Sequence, residues 1–479
     1  MSFFDRTKEG WIISRADNDI FSMEQTLTWG AGNLLSSLLT LAGAFAILFR
    51  YQPRLALAIA GLLPLLLLST GRFRRAGSRS HRLLHEGLSR ITATLAENIQ
   101  GIAIVQAFHR EARNLDRFEE LNEQHLGNAY RQSMVWGLYS ASLHTLAGAG
   151  VAIILGYGGS LLLAGEIELG TLSAFLFYLA MFFGPIHMMS EIYNESLSTG
   201  VAADRVFRLL DQPPEIADAP GALDLGTARG EVHFENVSFR YRKAGGAWIL
   251  RNLQLQIPAG QTLAIVGPTG SGKTTLASLL ARFYDPDEGA VRIDGHDLRT
   301  VRLSSLRAQV GIVLQDNFLF TGTVLDNLRY ARPGASEEEV WAAARSLGLE
   351  ERLRDLPDGI RTKVEERGRN LSAGERQMVA FIRALVVDPR ILILDEATSH
   401  LDFETEGLLQ AALFRLLEGR TALVIAHRLT TVARLGRILV MQEGRIVEDG
   451  NPEELRRRDG AYAGMLREFT SQAEAAASP

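Results

Sequence analysis

Residues 267–274 read GPTGSGKT, directly after the apolar run Thr262–Val266 (TLAIV) and directly before a helix-forming run, Thr275–Arg282. The pattern G-x-x-x-x-G-K-[ST] between a strand and a helix marks a phosphate-binding loop. Gly267, Gly270 and Gly272 let the backbone curl until its N–H groups converge on phosphate oxygens. Pro268, Thr269, Ser271 and Thr275 complete the expected nucleotide-binding set. A helix starting near Lys273 points its positive end at the same anion. Lys273 has the length to reach β- and γ-phosphates, and the Thr274 hydroxyl suits Mg²⁺. The loop alone says only that a nucleoside triphosphate binds an α/β core.

Working outward, Ile391–Glu396 (ILILDE) is an apolar run fit for a buried parallel strand, ending in two carboxylates. Asp395 is placed to hold Mg²⁺ through water, and Glu396 to polarise an attacking water. Such a pair suits ATP hydrolysis, which rests on positioning and charge stabilisation; the bland alternative for Glu396 is a helix cap. Leu371–Gln377 reads LSAGERQ. Ser372 is a candidate helix N-cap with Gly374 allowing close backbone approach, which makes a second phosphate-binding helix terminus in one chain. Further stretches stand out: VSFRY ending at Tyr241, GIVLQD containing Gln315, SHLD ending at Asp402, and VIAHRL containing His427 after the apolar run Ala422–Ala426.

Together these motifs resemble the ATP-binding cassette (ABC) family, whose signature is usually LSGGQ. Here Ala373 replaces the first glycine and Glu375 the glutamine, and the resemblance implies that this carboxylate stands near a triphosphate. The resemblance implies that the signature (Ser372, Ala373, Gly374, Glu375) of one subunit covers the ATP held by the other subunit's loop. It implies that Tyr241 stacks on adenine, that Gln315 senses Mg²⁺ and the transport domain, and that Asp402 belongs to the D-loop, with His400 where a small residue is common. It also implies that His427 contacts the γ-phosphate. The catalytic set is then Glu396, His427 and Gln315, the metal set Thr274, Gln315 and Asp395, and the ligands ATP and Mg²⁺.

The chain has 479 residues, 47% hydrophobic, with net charge −5 and no cysteine. Nothing in that charge favours a nucleic-acid partner, and disulfides or thiol chemistry are excluded. Mean hydropathy is +0.04, an average of a greasy first part and an ordinary second part. The first part holds four membrane-length stretches: Ala31–Phe49, Leu55–Gly71 (with Pro64 as a candidate kink), Val135–Ala164 and Leu169–Met189. None has the form of a signal peptide. Arg72, Arg74, Arg75, Arg79 and Arg82 follow the second stretch, which puts that side in the cytoplasm. The region from Arg72 to about Gln132 then reads as two helices running into the cytoplasm and back. Its middle, ENIQGI from Glu97 and VQAF from Val105, resembles the second coupling loop of ABC exporters; taken alone it is equally a solvated surface.

Gly10–Gly30 resembles the end of the first cytoplasmic loop of these exporters, whose membrane domain normally has six helices. By that resemblance the chain is expected to start after the second one. The Pro- and Asp-rich stretch Asp211–Leu225 marks a boundary. The expected fold is an α-helical transmembrane domain, four membrane helices with long cytoplasmic extensions, over 1–210. A linker over 211–229 leads to an α/β P-loop cassette over 230–470 with a β-subdomain near Tyr241 and a helical subdomain from Ser336 to about Leu385; a frayed tail covers 471–479. Three functions fit: a half-transporter exporting a hydrophobic substrate with a second subunit, identical or not, in the bilayer; a truncated membrane ATPase; or a soluble ABC-type ATPase.

Overall fold

The computed structural model describes every residue except 242–245, 316, 397–402, 427–431 and 469–479; the side chains at 187, 190, 191, 194, 197, 396 and 403 also lie outside it. The chain divides into two compact units, Thr7–Gln212 and Pro213–Pro479 with Met1–Arg6.

Among the described residues of the first unit, four helices are long and apolar enough to cross a membrane: Glu9–Tyr51, Pro53–Gln100, Glu111–Leu163 and Leu169–Ile186, the last part of a helix that continues to Leu210. Each outruns its apolar stretch. Charged residues beyond the apolar core keep good helix propensity and simply meet water. Gly10–Gly30 is helical and runs into the first span, with wide π turns at Arg15–Asp19 and Thr26–Gly30. The expected kink at Pro64 falls three residues earlier, as a turn between Pro53–Ala60 and Leu63–Gln100. Pro64 then sits in a first helical turn, where a missing N–H costs nothing. Leu63–Gln100 and Glu111–Ile153 pack along each other and are joined by the short helix Ile102–Ala107.

Membrane helices gain little from hydrophobicity against lipid, so they associate through close packing and shared polar groups. A Cβ on Gly158 would lie 2.8 Å from Leu172 and 3.2 Å from Leu55, and one on Gly150 2.9 Å from Leu179. Glycine there lets the helices touch around the buried cluster of Leu55, Ile154 and Phe175. Hydroxyls bridge Ser69 to Ser142 at 2.6 Å and Thr26 to Thr199 at 2.7 Å. Asp19, in the first π turn, is buried and accepts from the Nε of Arg205, on the last helix, at 2.9 Å, with the guanidinium's second nitrogen also bonded.

The second unit is built on sheets. Strands β1 (Val232–Phe239), β2 (Leu250–Ile257), β4 (Glu288–Ile293) and β5 (His296–Asp297) form an antiparallel sheet ordered β2-β1-β4-β5. Strands β3 (Thr262–Val266), β6 (Val310–Val313), β9 (Ile391–Glu396), β10 (Thr421–Ala426), β11 (Arg437–Gln442) and β12 (Arg445–Gly450) form a six-stranded sheet ordered β12-β11-β3-β10-β9-β6, parallel except for β12. A two-residue pair, β7 (Gly322–Thr323) with β8 (Lys363–Val364), stands apart.

The continuous apolar runs of the larger sheet follow from burial on both faces. Leu263, Ile265, Ile393, Leu423 and Ile425 join one core, while Ala264, Val266, Leu392, Leu394 and Val424 join the other. The second core is shared with helices of the insertion, including Glu337–Leu347 and Ala373–Val386. Within the expected linker, Leu223 is already tied to this unit, its N–H donating to Thr300 O at 2.9 Å and its carbonyl accepting from Arg302 N–H at 2.8 Å.

Candidate functional site

The carboxyl edge of the six-stranded sheet gathers most of the expected site. β3 ends at Val266 and hands over to the glycine loop, and helix Lys273–Leu280 begins at once. Gly267 and Gly272 are required by space. A Cβ on Gly267 would lie 2.2 Å from Met441 O, and one on Gly272, at φ +102°, 2.7 Å from Leu250. The loop is therefore pressed against β11 and β2, which fixes its curl. Lys273 is only 7% exposed and donates through Nζ to Gly267 O at 2.7 Å and Pro268 O at 2.9 Å. Burial pushes the pKa of its ammonium down, and the Asp395 carboxylate partly restores it. Thr274 is exposed, whereas Ser271 and Thr275 are buried. The Ser271 hydroxyl is buried without a hydrogen-bond partner.

Topology places the acidic strand end two positions away from the loop. β10 lies between β3 and β9, with Ile425 opposite both Ile265 and Asp395, and Ala426 opposite Glu396. His427 follows Ala426 but lies outside the described residues, as do His400 and Asp402; of Glu396 only the backbone is described. Gln315 is exposed, two residues past the end of β6, whose Val313 is opposite Leu394 of β9. The P-loop, Asp395 and Gln315 thus share one sheet edge. Tyr241, 38% exposed, shares a 3.0 Å hydrogen bond between its hydroxyl and that of Thr275, with its ring edge-on to Tyr284 at 5.2 Å.

The second candidate terminus is formed as the sequence suggests, with one addition. Ser372 caps helix Ala373–Val386 by accepting the Glu375 N–H at 3.2 Å, and Glu375 Oε2 accepts the Ser372 N–H at 2.7 Å. The S-x-x-E spacing of Ser372 and Glu375 is the sequence signal of this reciprocal capping box. Ser372, Gly374 and Glu375 line a cavity of about 110 Å³ with Leu349, Arg352 and Met378 and with no residue of the P-loop. The two candidate phosphate-binding termini of one chain therefore do not share that cavity.

The residues fit a Mg²⁺–nucleotide: the loop is a tight backbone cradle with the exposed Thr274 hydroxyl in it, the Asp395 carboxylate acts on Lys273, and the Gln315 carboxamide stands on the same sheet edge. A P-loop ATPase core fused to membrane-length helices defines an ATP-driven membrane machine. Family models for the ABC transporter transmembrane region and the ABC transporter match residues 1–186 and 250–399. The chain is 41% identical over 97% of its length, and 77% of the relative's, to the uncharacterized ABC transporter ATP-binding protein YknV of Bacillus subtilis. It is 38% identical to the ATP-dependent lipid A-core flippase of Syntrophus aciditrophicus, over 96% of this chain and 76% of that one. The structure of a bacterial Atm1-family ABC exporter with ATP bound matches with TM-score 0.80 and 33% identity, covering 97% of this chain and 81% of that one. The chain belongs to the ABC transporter family, as an exporter half-subunit with fused membrane and ATP-hydrolysing parts. It is a membrane protein whose ATP-binding domain is cytoplasmic, and exporters of this kind work as dimers.

Proposed function

We propose that this half-subunit exports a hydrophobic, lipid-like substrate by closing and opening two cassettes around ATP. The observation that carries the reading is the shared sheet edge: a cradle whose lysine is buried, a strand ending in Asp395 and Glu396, and Gln315 two residues past the end of the next strand, β6. In it Gly267, Pro268, Thr269, Gly270, Ser271, Gly272, Lys273, Thr274 and Thr275 bind the triphosphate, and Tyr241 stacks on adenine. Taking the phosphates exchanges the two carbonyl acceptors of Lys273 for charged oxygens, which are stronger partners. Thr274 and Gln315 would hold Mg²⁺ directly and Asp395 through water; the bound ion neutralises charge on the phosphate oxygens. Glu396 polarises the attacking water, His427 contacts the γ-phosphate, and Asp402 belongs to the D-loop. Ser372, Ala373, Gly374 and Glu375 face the ATP of the partner subunit, identical or different.

The membrane part is taken as residues 1–210, the linker as 211–229 and the cassette as 230–470. Gln315 senses Mg²⁺ and the state of the nucleotide; at the tip helix Ile102–Ala107 of the membrane part, Ile104 and Phe108 are 66% and 72% exposed. The lipid A-core flippase among the relatives supports a lipid-like substrate.

The test is Glu396→Gln, which keeps size and hydrogen bonding but removes the charge. Removing a general base costs about 10²–10⁴ in rate. Purified Glu396→Gln protein should bind ATP normally, turn over slowly and retain nucleotide. Near-normal hydrolysis by that variant removes Glu396 from the mechanism.

A further inference from the structure

The N-terminus of helix Ala373–Val386 is closed by its own first turn. Glu375 Oε2 takes the Ser372 N–H at 2.7 Å, and the Ser372 hydroxyl takes the Glu375 N–H at 3.2 Å. Glutamine at this position makes the same reciprocal cap without charge. What glutamate adds is an anion, which the positive helix end favours. Neighbouring cations are engaged elsewhere. Arg352, in the same cavity lining, donates to Glu404 at 2.9 Å. Arg376, next in sequence, donates to Leu371 O at 2.6 Å and Gly368 O at 3.4 Å. Among the described residues, Glu375 forms no ion pair with lysine or arginine.

We propose that Glu375 is a positioning residue that acts as an internal anion, holding the donors of this terminus against the γ-phosphate of the partner subunit's ATP. The proposal rests on the reading of Ser372 as the group that covers that ATP. Closing the cassette pair then displaces the carboxylate from the Ser372 N–H and leaves it beside a triphosphate. Like charges about 4 Å apart weaken an equilibrium about fivefold even in bulk water, and by more where a closing interface excludes water. The residue therefore sets the ATP level at which the pair closes, and it makes that level depend on salt.

The experiment uses the whole chain in the Glu396→Gln background, so that closed pairs keep their ATP. ATP retained after rapid gel filtration is measured against ATP concentration, at low and high salt, for the parent, Glu375→Gln and Glu375→Ala. The expected result is a midpoint lowered by on the order of tenfold in Glu375→Gln at low salt, with the gap narrowing at high salt as the repulsion is screened. Glu375→Ala, which loses half of the cap as well as the charge, should still close at less ATP than the parent. A purely structural cap gives the opposite pattern: Glu375→Gln like the parent, Glu375→Ala weaker, and no dependence of the difference on salt. That pattern, or a raised midpoint in Glu375→Gln, overturns the proposal. ATP bound by parent and variants but retained by none of them overturns the reading of Ser372 and the proposal with it.

Discussion

At the scale of single residues, the site is decided by where one ammonium goes. Lys273 is buried, and its proton is held by two loop carbonyls rather than by a fixed acid. Its partners are thus exchangeable, which a phosphate-binding lysine needs. Lys273→Ala removes one charge-assisted contact to the triphosphate, worth about tenfold to hundredfold in affinity. Equilibrium binding of labelled ATP checks this, and equal binding by parent and variant would exclude the lysine from the site. The residue types and their order were legible from GPTGSGKT, because the pattern names chemistry directly. The inward fold of Lys273 was not, since it depends on how Gly267 and Gly272 press the loop against Leu250 and against Met441, far along the chain. The capping partner of Ser372 was within reach of the sequence, three residues away. Its significance lies in the carboxylate that occupies the Ser372 N–H, which the spacing alone does not show.

Among the elements, strands were more legible than helices. β3 and β9 coincide with the apolar runs TLAIV and ILILDE, since a strand buried on both faces has no room for polar residues inside it. Helix ends were hidden because apolar content marks the bilayer, not the helix. Val135–Ala164 is only the last part of the helix reaching from Glu111 to Leu163, and the fourth helix runs through Pro185 to Leu210. Charge at the helix packing surfaces was also unreadable. Asp19 and Arg205 are far apart in sequence but form a bidentate pair between the first and last long helices. Breaking a buried pair strands a charge, at a cost of about 3–5 kcal/mol, and less here because the Arg205 side chain is 38% exposed. Asp19→Ala should therefore lower the thermal midpoint of the membrane part, and Asp19→Ala with Arg205→Ala should recover part of the loss. Additive effects in that double-mutant cycle would mean the two side chains do not act as a pair.

For the whole molecule, the central claim is that ATP is held between two subunits, by the P-loop of one and the Ser372 terminus of the other. A single chain carries both termini, and the cavity at Ser372 includes no P-loop residue. The most direct measurement is an ATP-dependent cross-link. Thr269 and Ala373 are exposed, and changing them to cysteine leaves both the Lys273 contacts and the Ser372 cap in place. The chain has no native cysteine, so a short thiol cross-linker reads only the introduced pair. Mixing Thr269→Cys protein with Ala373→Cys protein, both in the Glu396→Gln background, should give a linked dimer with ATP and little without it. If the partner is a different subunit, the link should form with the partner's equivalent position instead. ATP-binding preparations that show no nucleotide-dependent link in either pairing would contradict the shared site.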